Sequence, residues 1–129
     1  MPTARVDRLF LPRTVQRWEA TVSADAWLVM TTCGSAEEAE RLAELLVERR
    51  LAACVNRIDG VLSTYRWQGA VDRARESLLL IKTTASGYPA VERAIKESSS
   101  YELPEVLAVP ARGGSAEYLE WIEQSVDAR

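Results

Sequence analysis

Residue types that carry out chemistry are few in this chain, because its 129 residues include no histidine. This absence excludes Ser-His-Asp and Cys-His catalysis and removes the commonest ligand of transition metals. Any general base must be Asp, Glu, Lys, Tyr or Cys, and any metal ion must bind carboxylate, thiolate, carbonyl or water ligands. The pair Gly113-Gly114 alone is too little to predict a phosphate-binding loop.

The two cysteines, Cys33 and Cys54, are too few for the disulfide framework of a small secreted protein. Cys54 lies between Ala53 and Val55, which predicts a buried side chain. Cys33 stands beside Gly34 at the end of a strand, which predicts partial exposure. Reduced thiols favour a cytoplasmic location.

The composition is that of an ordinary globular protein, with 47% hydrophobic and 27% charged residues, and the length predicts one domain. A net charge of −3 provides no electrostatic basis for nucleic-acid binding. No apolar run is long enough to cross a membrane. Residues 1–25 mix arginines with short apolar groups, and we predict an N-terminal extension there that precedes a domain at residues 26–129.

The longest strand pattern lies within residues 51–69. Side chains alternate between two faces from Val61 to Trp67, Gly60 predicts a bulge, and Gln68-Gly69 predicts a turn. A second run at residues 76–83 is apolar on both faces, as in a central strand that is covered on both sides. Together the two runs predict an extended β-hairpin.

Helices and shorter strands surround this hairpin in the predicted order. Ser35 and Glu38 have the spacing of a capping box at the start of a helix, whose acidic face we assign to solvent. The remaining predicted elements are strands at 27–32 and 106–110 and helices that begin near Tyr88-Pro89 and after Ser115.

The element order β-α-β-β-α-β-α predicts an α+β, ferredoxin-like sandwich with a C-terminal helix. In this arrangement four antiparallel strands carry the helices on one face and leave the other face bare. Because a bare apolar face requires a partner, the pattern favours self-association.

Five short motifs occur in order along the chain: LAACVN at 51–56, YRWQG at 65–69, LIKT at 80–83, YELPE at 101–105 and YLEW at 118–121. Together they resemble the CutA family of divalent-ion tolerance proteins, over about 100 residues from Trp27 to about Val126. Members of that family are trimers of ferredoxin-like subunits, related in architecture to the PII signalling proteins. Their long hairpin strands pair between subunits, so the resemblance implies a homotrimer.

The family is also linked to copper. Its proposed ligands are a cysteine in the first strand and histidines just before the Tyr-x-x-Pro-Glu segment, and these positions here hold Met30 and Ser98 to Ser100. A thioether such as that of Met30 suits Cu(I). The resemblance therefore implies that any site for copper or another divalent cation in this chain must bind the ion without imidazole ligands. The candidate ligands are Met30, Cys33 and Glu105.

The matching aromatic and polar positions have two interpretations. They could fill the interface of the trimer, with Lys82 and Glu105 paired within or between subunits. Alternatively, they could line a ligand cleft between subunits, where Lys82 holds an anion opposite Glu105. These positions are Tyr65, Trp67, Lys82, Tyr101, Tyr118 and Trp121.

Three functions follow as hypotheses. The preferred one is a cytoplasmic, non-enzymatic homotrimer that responds to divalent ions, with an indirect role in metal tolerance. The second is a PII-like small-molecule sensor or scaffold that acts through an unidentified protein partner. The third, an enzyme, is least favoured because no nucleophile and base are recognisable by spacing.

Overall fold

The computed structural model describes residues 25–127, so the predicted extension lies almost entirely outside the described residues. The predicted order of strands and helices is confirmed. The elements are β1 (Ala26–Cys33), α1 (Ala36–Glu48), β2 (Cys54–Trp67), β3 (Ala70–Thr84), α2 (Tyr88–Ser98), β4 (Leu107–Pro110) and α3 (Ala116–Ser125).

The four strands form one antiparallel sheet in the order β2-β3-β1-β4. At its centre Val29 of β1 lies opposite Ile81 of β3 and Ala108 of β4. Cross-strand partners share a face, so these side chains point to the same side of the sheet. Both Val29 and Ile81 are fully buried there.

One face of the sheet is covered by α1 and α2. Ser35 caps α1 by accepting a hydrogen bond from the backbone N–H of Glu38, as the spacing predicts. Pro89 occupies the first turn of α2, where its missing N–H costs nothing. The core between these helices and the sheet contains Val29, Cys33, Ala39, Leu42, Leu46, Ala52, Leu79, Ile81, Val91, Ala94 and Ile95.

The position of α3 corrects the expectation that the second face is bare. Leu119 and Ile122 of α3 pack on Ala26 and Ala53 in a separate, smaller cluster. The side chains of Ala26 and its neighbour Trp27 point to opposite faces of the sheet. Trp27 lies on the face covered by the helices, against Tyr88 of α2. The C-terminal helix therefore covers one end of the opposite face.

The rest of that opposite face remains uncovered in one subunit. By register Leu28 lies beside Val109, Met30 beside Leu107 and Leu80, and Leu78 beside Ile58. Ile58, Leu107 and Val109 are 47%, 58% and 42% exposed. We refer to this surface as the open face; its apolar side chains are Leu28, Met30, Ile58, Leu78, Leu80, Leu107 and Val109.

The hairpin of β2 and β3 is as long as predicted, with strands of 14 and 15 residues. Its register shifts between Ile58 and Val61, and Gly60 adopts a φ of +75°, which confirms the predicted bulge. Gln68 and Gly69 have φ values of 49° and 84° in the two-residue turn. The part beyond the bulge, residues 61–76, is called the hairpin arm below.

Candidate functional site

The hairpin arm presents one face to the segment that joins α2 to β4. Because Val61 pairs with Glu76 and Tyr65 with Asp72, alternation places Tyr65, Trp67 and Glu76 on the same face of the arm. The segment 101–105 lies against this face. Between them is a cleft of about 840 Å³, lined by Thr32, Ser63, Thr64, Tyr65, Arg66, Trp67, Glu76, Ser100, Tyr101, Glu102, Leu103, Pro104 and Glu105.

Ser100, the residue just before the 101–105 segment, is held by a buried carboxylate of α1. Glu38 accepts hydrogen bonds from the backbone N–H of Ser100 at 2.8 Å and from its hydroxyl at 3.0 Å. Glu38 is only 9% exposed, so the assignment of its side chain to solvent was wrong. The physical reason is that the end of α2 brings two donors to this carboxylate, which replace water as its partners.

Tyr101 joins the segment to the hairpin arm. Its phenolic O–H donates a 2.6 Å hydrogen bond to Glu76, whose side chain is buried. Burial, reinforced by the bond to Glu76, raises the pKa of the Tyr101 phenol. A Cβ at Gly34 would lie 3.3 Å from the phenolic oxygen, so glycine permits the ring to approach the end of β1 closely.

Glu105 is a second carboxylate that lines this cleft. Partial burial and the charge of Glu76 raise the pKa of the Glu105 carboxyl, while a hydrogen bond with Thr32 acts in the opposite direction. The effect of Glu76 indicates that the two carboxylates share one electrostatic environment. This part of the cleft therefore concentrates negative charge beside aromatic rings.

The three predicted metal ligands are divided between the two faces of the sheet. Met30 belongs to the open face, and Thr32, two residues along the same strand, bonds to Glu105. Cys33 points to the opposite side and is part of the core under α1. Among residues 25–127, no three or more His, Cys, Asp or Glu side chains group together to hold a metal ion.

The exposures predicted for the two cysteines are reversed. Cys33 is 3% exposed, whereas Cys54 is only partly buried. Cys33 is the last residue of β1, and its side chain faces the helices. Cys54 is the first residue of β2 and pairs with Lys82, and both of these side chains point to the other face of the sheet. Desolvation, with the nearby charges of Glu38 and Glu76, raises the pKa of the Cys33 thiol to about 11. This thiol is accordingly a poor source of thiolate.

Tyr118 and Trp121 of α3 form a separate group with Lys82 of β3. The ammonium of Lys82 donates a hydrogen bond to Asn56 Oδ1 and lies 6.0 Å from the centre of the Tyr118 ring. Tyr118 and Trp121 are tilted toward each other with ring centres 5.5 Å apart. Lys82 thus contacts neither Glu105 nor the cleft in one subunit, and their pairing between subunits stays a prediction.

Sequence reasoning missed the two carboxylates that organise the cleft, Glu38 and Glu76. The sequence shows the capping-box spacing of Ser35 and Glu38, but the Glu38 carboxylate accepts its hydrogen bonds from Ser100, 62 residues away. Glu76 has one visible signal, a charged residue at the start of a run that is otherwise apolar on both faces. Such a residue must find a partner when it is buried.

Comparison with known proteins identifies the family. Residues 27–125 match the family described as "CutA1 divalent ion tolerance protein". The chain belongs to the CutA family. The resemblance expected from the five motifs is therefore confirmed, and the family description names ion tolerance rather than an enzyme activity.

Relatives of the CutA family match most of this chain. A divalent-cation tolerance protein CutA from Thermus thermophilus is 44% identical over 98 residues, which cover 76% of this chain and 95% of the relative. A chloroplastic CutA 1 of rice is 39% identical over 84% of this chain, which spans 62% of the rice protein. The crystal structure of CutA from Xylella fastidiosa superposes with a TM-score of 0.78 and 42% identity, covering 80% of this chain and 99% of that one.

Membership of the CutA family establishes a divalent-cation tolerance protein with a mixed α+β fold. Within residues 25–127, no helix is long and apolar enough to span a membrane. The chloroplastic relative shows that family membership alone does not determine the compartment.

Proposed function

We propose that this CutA-family chain works as a cytoplasmic, non-catalytic homotrimer in the response to divalent cations. The observation that carries the proposal is the open face, where Leu107 and Val109 of β4 are exposed beside Met30 and Leu28. A contiguous apolar surface of this kind is stabilised when copies of the chain cover it. The hairpin arm provides the long strands that such an assembly pairs between subunits.

Sedimentation equilibrium tests the homotrimer. We expect a trimer for the unchanged chain, dissociation in Leu107→Lys, and weaker association in Trp67→Ala, which truncates the ring near the end of the arm. Val47→Lys is the matched control, since Val47 is also exposed and apolar but lies on α1, away from the open face. Intact trimers in both Leu107→Lys and Trp67→Ala would contradict the proposed interface.

Metal binding in this proposal is weak and uses the open-face side of the sheet. Met30 and Glu105 offer a thioether and a carboxylate near Thr32, whereas the Cys33 thiol is buried on the other side. Two donors leave the four-coordinate shell of zinc incomplete, and the pair includes neither a thiolate nor an imidazole for copper, so the residues of one subunit do not fit a tight site. The role in metal tolerance is accordingly indirect.

Calorimetric titration of metal-free protein with Cu(I), Cu(II) and Zn(II) tests this assignment. Weak saturable binding should decrease in Met30→Leu and Glu105→Gln and persist in Cys33→Ser. Binding that disappears only in Cys33→Ser would refute the assignment, as would tight binding that no variant changes.

A PII-like sensor is the second candidate, and the 840 Å³ cleft favours it. Pockets of this volume hold small organic molecules, and the cleft combines aromatic rings with a few polar groups. In this alternative a ligand between the arm and the 101–105 segment changes the surface offered to a partner protein. Hydrogen exchange at residues 101–105 should then decrease when a ligand binds; unchanged exchange in the presence of a saturating ligand would count against it.

A further inference from the structure

The ionic composition of the cleft is one-sided. Among its lining residues in the described chain, Glu76, Glu102 and Glu105 are acidic, and Arg66 is the one basic residue. The strand register places Arg66 opposite Val71, on the face of the arm that Tyr65 and Trp67 do not share. Within residues 25–127, the carboxylates of the cleft therefore share their side of the arm with no lysine or arginine among the lining residues.

These carboxylates are not all solvated surface groups. Glu76 is 8% exposed and takes part in the hydrogen bond with Tyr101. A neutral phenol is only a partial replacement for water around a buried carboxylate, and Glu102 and Glu105 line the same cleft. A cation that enters the cleft would therefore provide these carboxylates with an opposite charge.

Aromatic rings form the other walls of the same cleft. Tyr65 and Trp67 project from the arm, and Tyr101 projects from the opposite segment. Faces of tyrosine and tryptophan attract cations, and aromatic rings are the usual lining of sites for quaternary ammonium groups. A metal ion would gain little from these rings, because it prefers a shell of oxygen, nitrogen or sulfur ligands.

We propose that the cleft binds an organic ammonium ion, with its alkyl groups against Tyr65 and Trp67 and its charge directed toward Glu76 and Glu105. The inference rests on the second candidate function, the small-molecule sensor, and specifies the chemical class of its ligand. The cleft is large enough for an ion of the size of choline.

Calorimetric titration of the full chain with choline tests this proposal, with 3,3-dimethylbutan-1-ol as the neutral molecule of the same shape. We expect choline to bind saturably and the alcohol to bind at least about tenfold more weakly. Glu105→Gln, and Trp67→Leu measured at a protein concentration at which it sediments like the unchanged chain, should each raise the Kd of choline by about threefold to thirtyfold. Glu97→Gln is the matched control, because it removes one exposed carboxylate from α2 outside the cleft.

Glu76→Gln provides a second, conservative variant, since its amide oxygen can still accept the Tyr101 hydrogen bond. It should weaken choline binding without unfolding the protein. Absence of choline binding, equal binding of the alcohol, or equal losses in Glu97→Gln and Glu105→Gln would each overturn the proposal.

Failure of this proposal can be distinguished from failure of the proposed function. Sedimentation and titration with copper and zinc are made on the same variants, and neither result depends on choline. A trimer that binds metal weakly and ignores choline would leave the tolerance function in place and refute only the organic ammonium ligand.

Discussion

The phenolic oxygen of Tyr101 lies 2.6 Å from Glu76 Oε2, which connects the segment before β4 to the hairpin arm. The two residues are 25 positions apart, and their bond is part-buried. It therefore determines how closely the two walls of the cleft approach each other. A short O–H···O bond to a carboxylate is among the stronger hydrogen bonds in proteins.

Removal of this bond should destabilise the chain. Tyr101→Phe keeps the ring but leaves the buried Glu76 without its donor, which is expected to cost about 1–3 kcal/mol in the free energy of unfolding. Urea denaturation of both proteins measures the difference. Tyr65→Phe is the control, because the side chain of Tyr65 is 40% exposed. Equal midpoints for Tyr101→Phe and the unchanged chain would show that the bond contributes nothing.

The pKa of Glu105 predicts a pH-dependent effect of its substitution. Folding raises this pKa, so the folded chain binds the proton more tightly than the unfolded chain does. The resulting stabilisation is complete below about pH 4, the ordinary range for glutamate, and is lost as pH rises through the folded pKa. Relative to the unchanged chain, Glu105→Gln should consequently gain stability on going from pH 4 to pH 7.

Urea midpoints at several pH values measure this gain. Glu102→Gln removes a carboxylate from the same segment, and subtraction of its effect accounts for the altered net charge. If the corrected difference between Glu105→Gln and the unchanged chain were constant from pH 4 to pH 7, the raised pKa of Glu105, which follows from its burial and from the charge of Glu76, would be refuted.

The fold was predictable from sequence because its signals are local. Alternation from Val61 to Trp67, the turn at Gln68-Gly69 and the cap at Ser35 all depend on residues near each other in the chain. The five sequence motifs also predicted membership of the CutA family. The side of the sheet chosen by α3 was not predictable in this way, because an amphipathic helix can bury its stripe on either face.

The cleft was only partly predictable. Tyr65, Trp67, Tyr101 and Glu105 were selected by resemblance and do line it. Lys82, Tyr118 and Trp121 were selected by the same resemblance, but they meet at α3, outside the cleft. Partners such as Glu38 and Ser100 meet only after the chain folds, so no periodicity within a single element could reveal them.

The buried position of Cys33 predicts slow reaction with thiol reagents. In a Cys54→Ser chain the remaining thiol is 3% exposed, and its pKa of about 11 leaves little thiolate at pH 8. We expect labelling by 5,5′-dithiobis(2-nitrobenzoate) to be at least about a hundredfold slower in the native chain than in urea. The absorbance at 412 nm follows the reaction. Similar native and unfolded rates would contradict the burial of Cys33.

Arg50, in the loop after α1, is hydrogen-bonded to the C-terminal end of α3. Its guanidinium donates to the carbonyl of Gln124 at 3.0 Å and to that of Ser125 at 3.4 Å, while its own carbonyl accepts from Asp127 N–H at 2.8 Å. Arg50 also adopts a φ of +60°, a left-handed conformation that favours glycine. Side-chain bonds and backbone strain therefore act in opposite directions at one residue.

Two substitutions of Arg50 separate these effects. Arg50→Ala loses the bonds to the last carbonyls of α3 and keeps the left-handed strain, so the free energy of unfolding should decrease by about 1 kcal/mol. Arg50→Gly loses the same bonds but relieves about 1 kcal/mol of strain, and it should remain close to the unchanged chain. Thermal and urea denaturation of the three proteins compare them directly. Alanine and glycine variants of equal stability would show that the strain at this position is no larger than the extra entropy that glycine loses on folding, because the lost side-chain bonds are common to both.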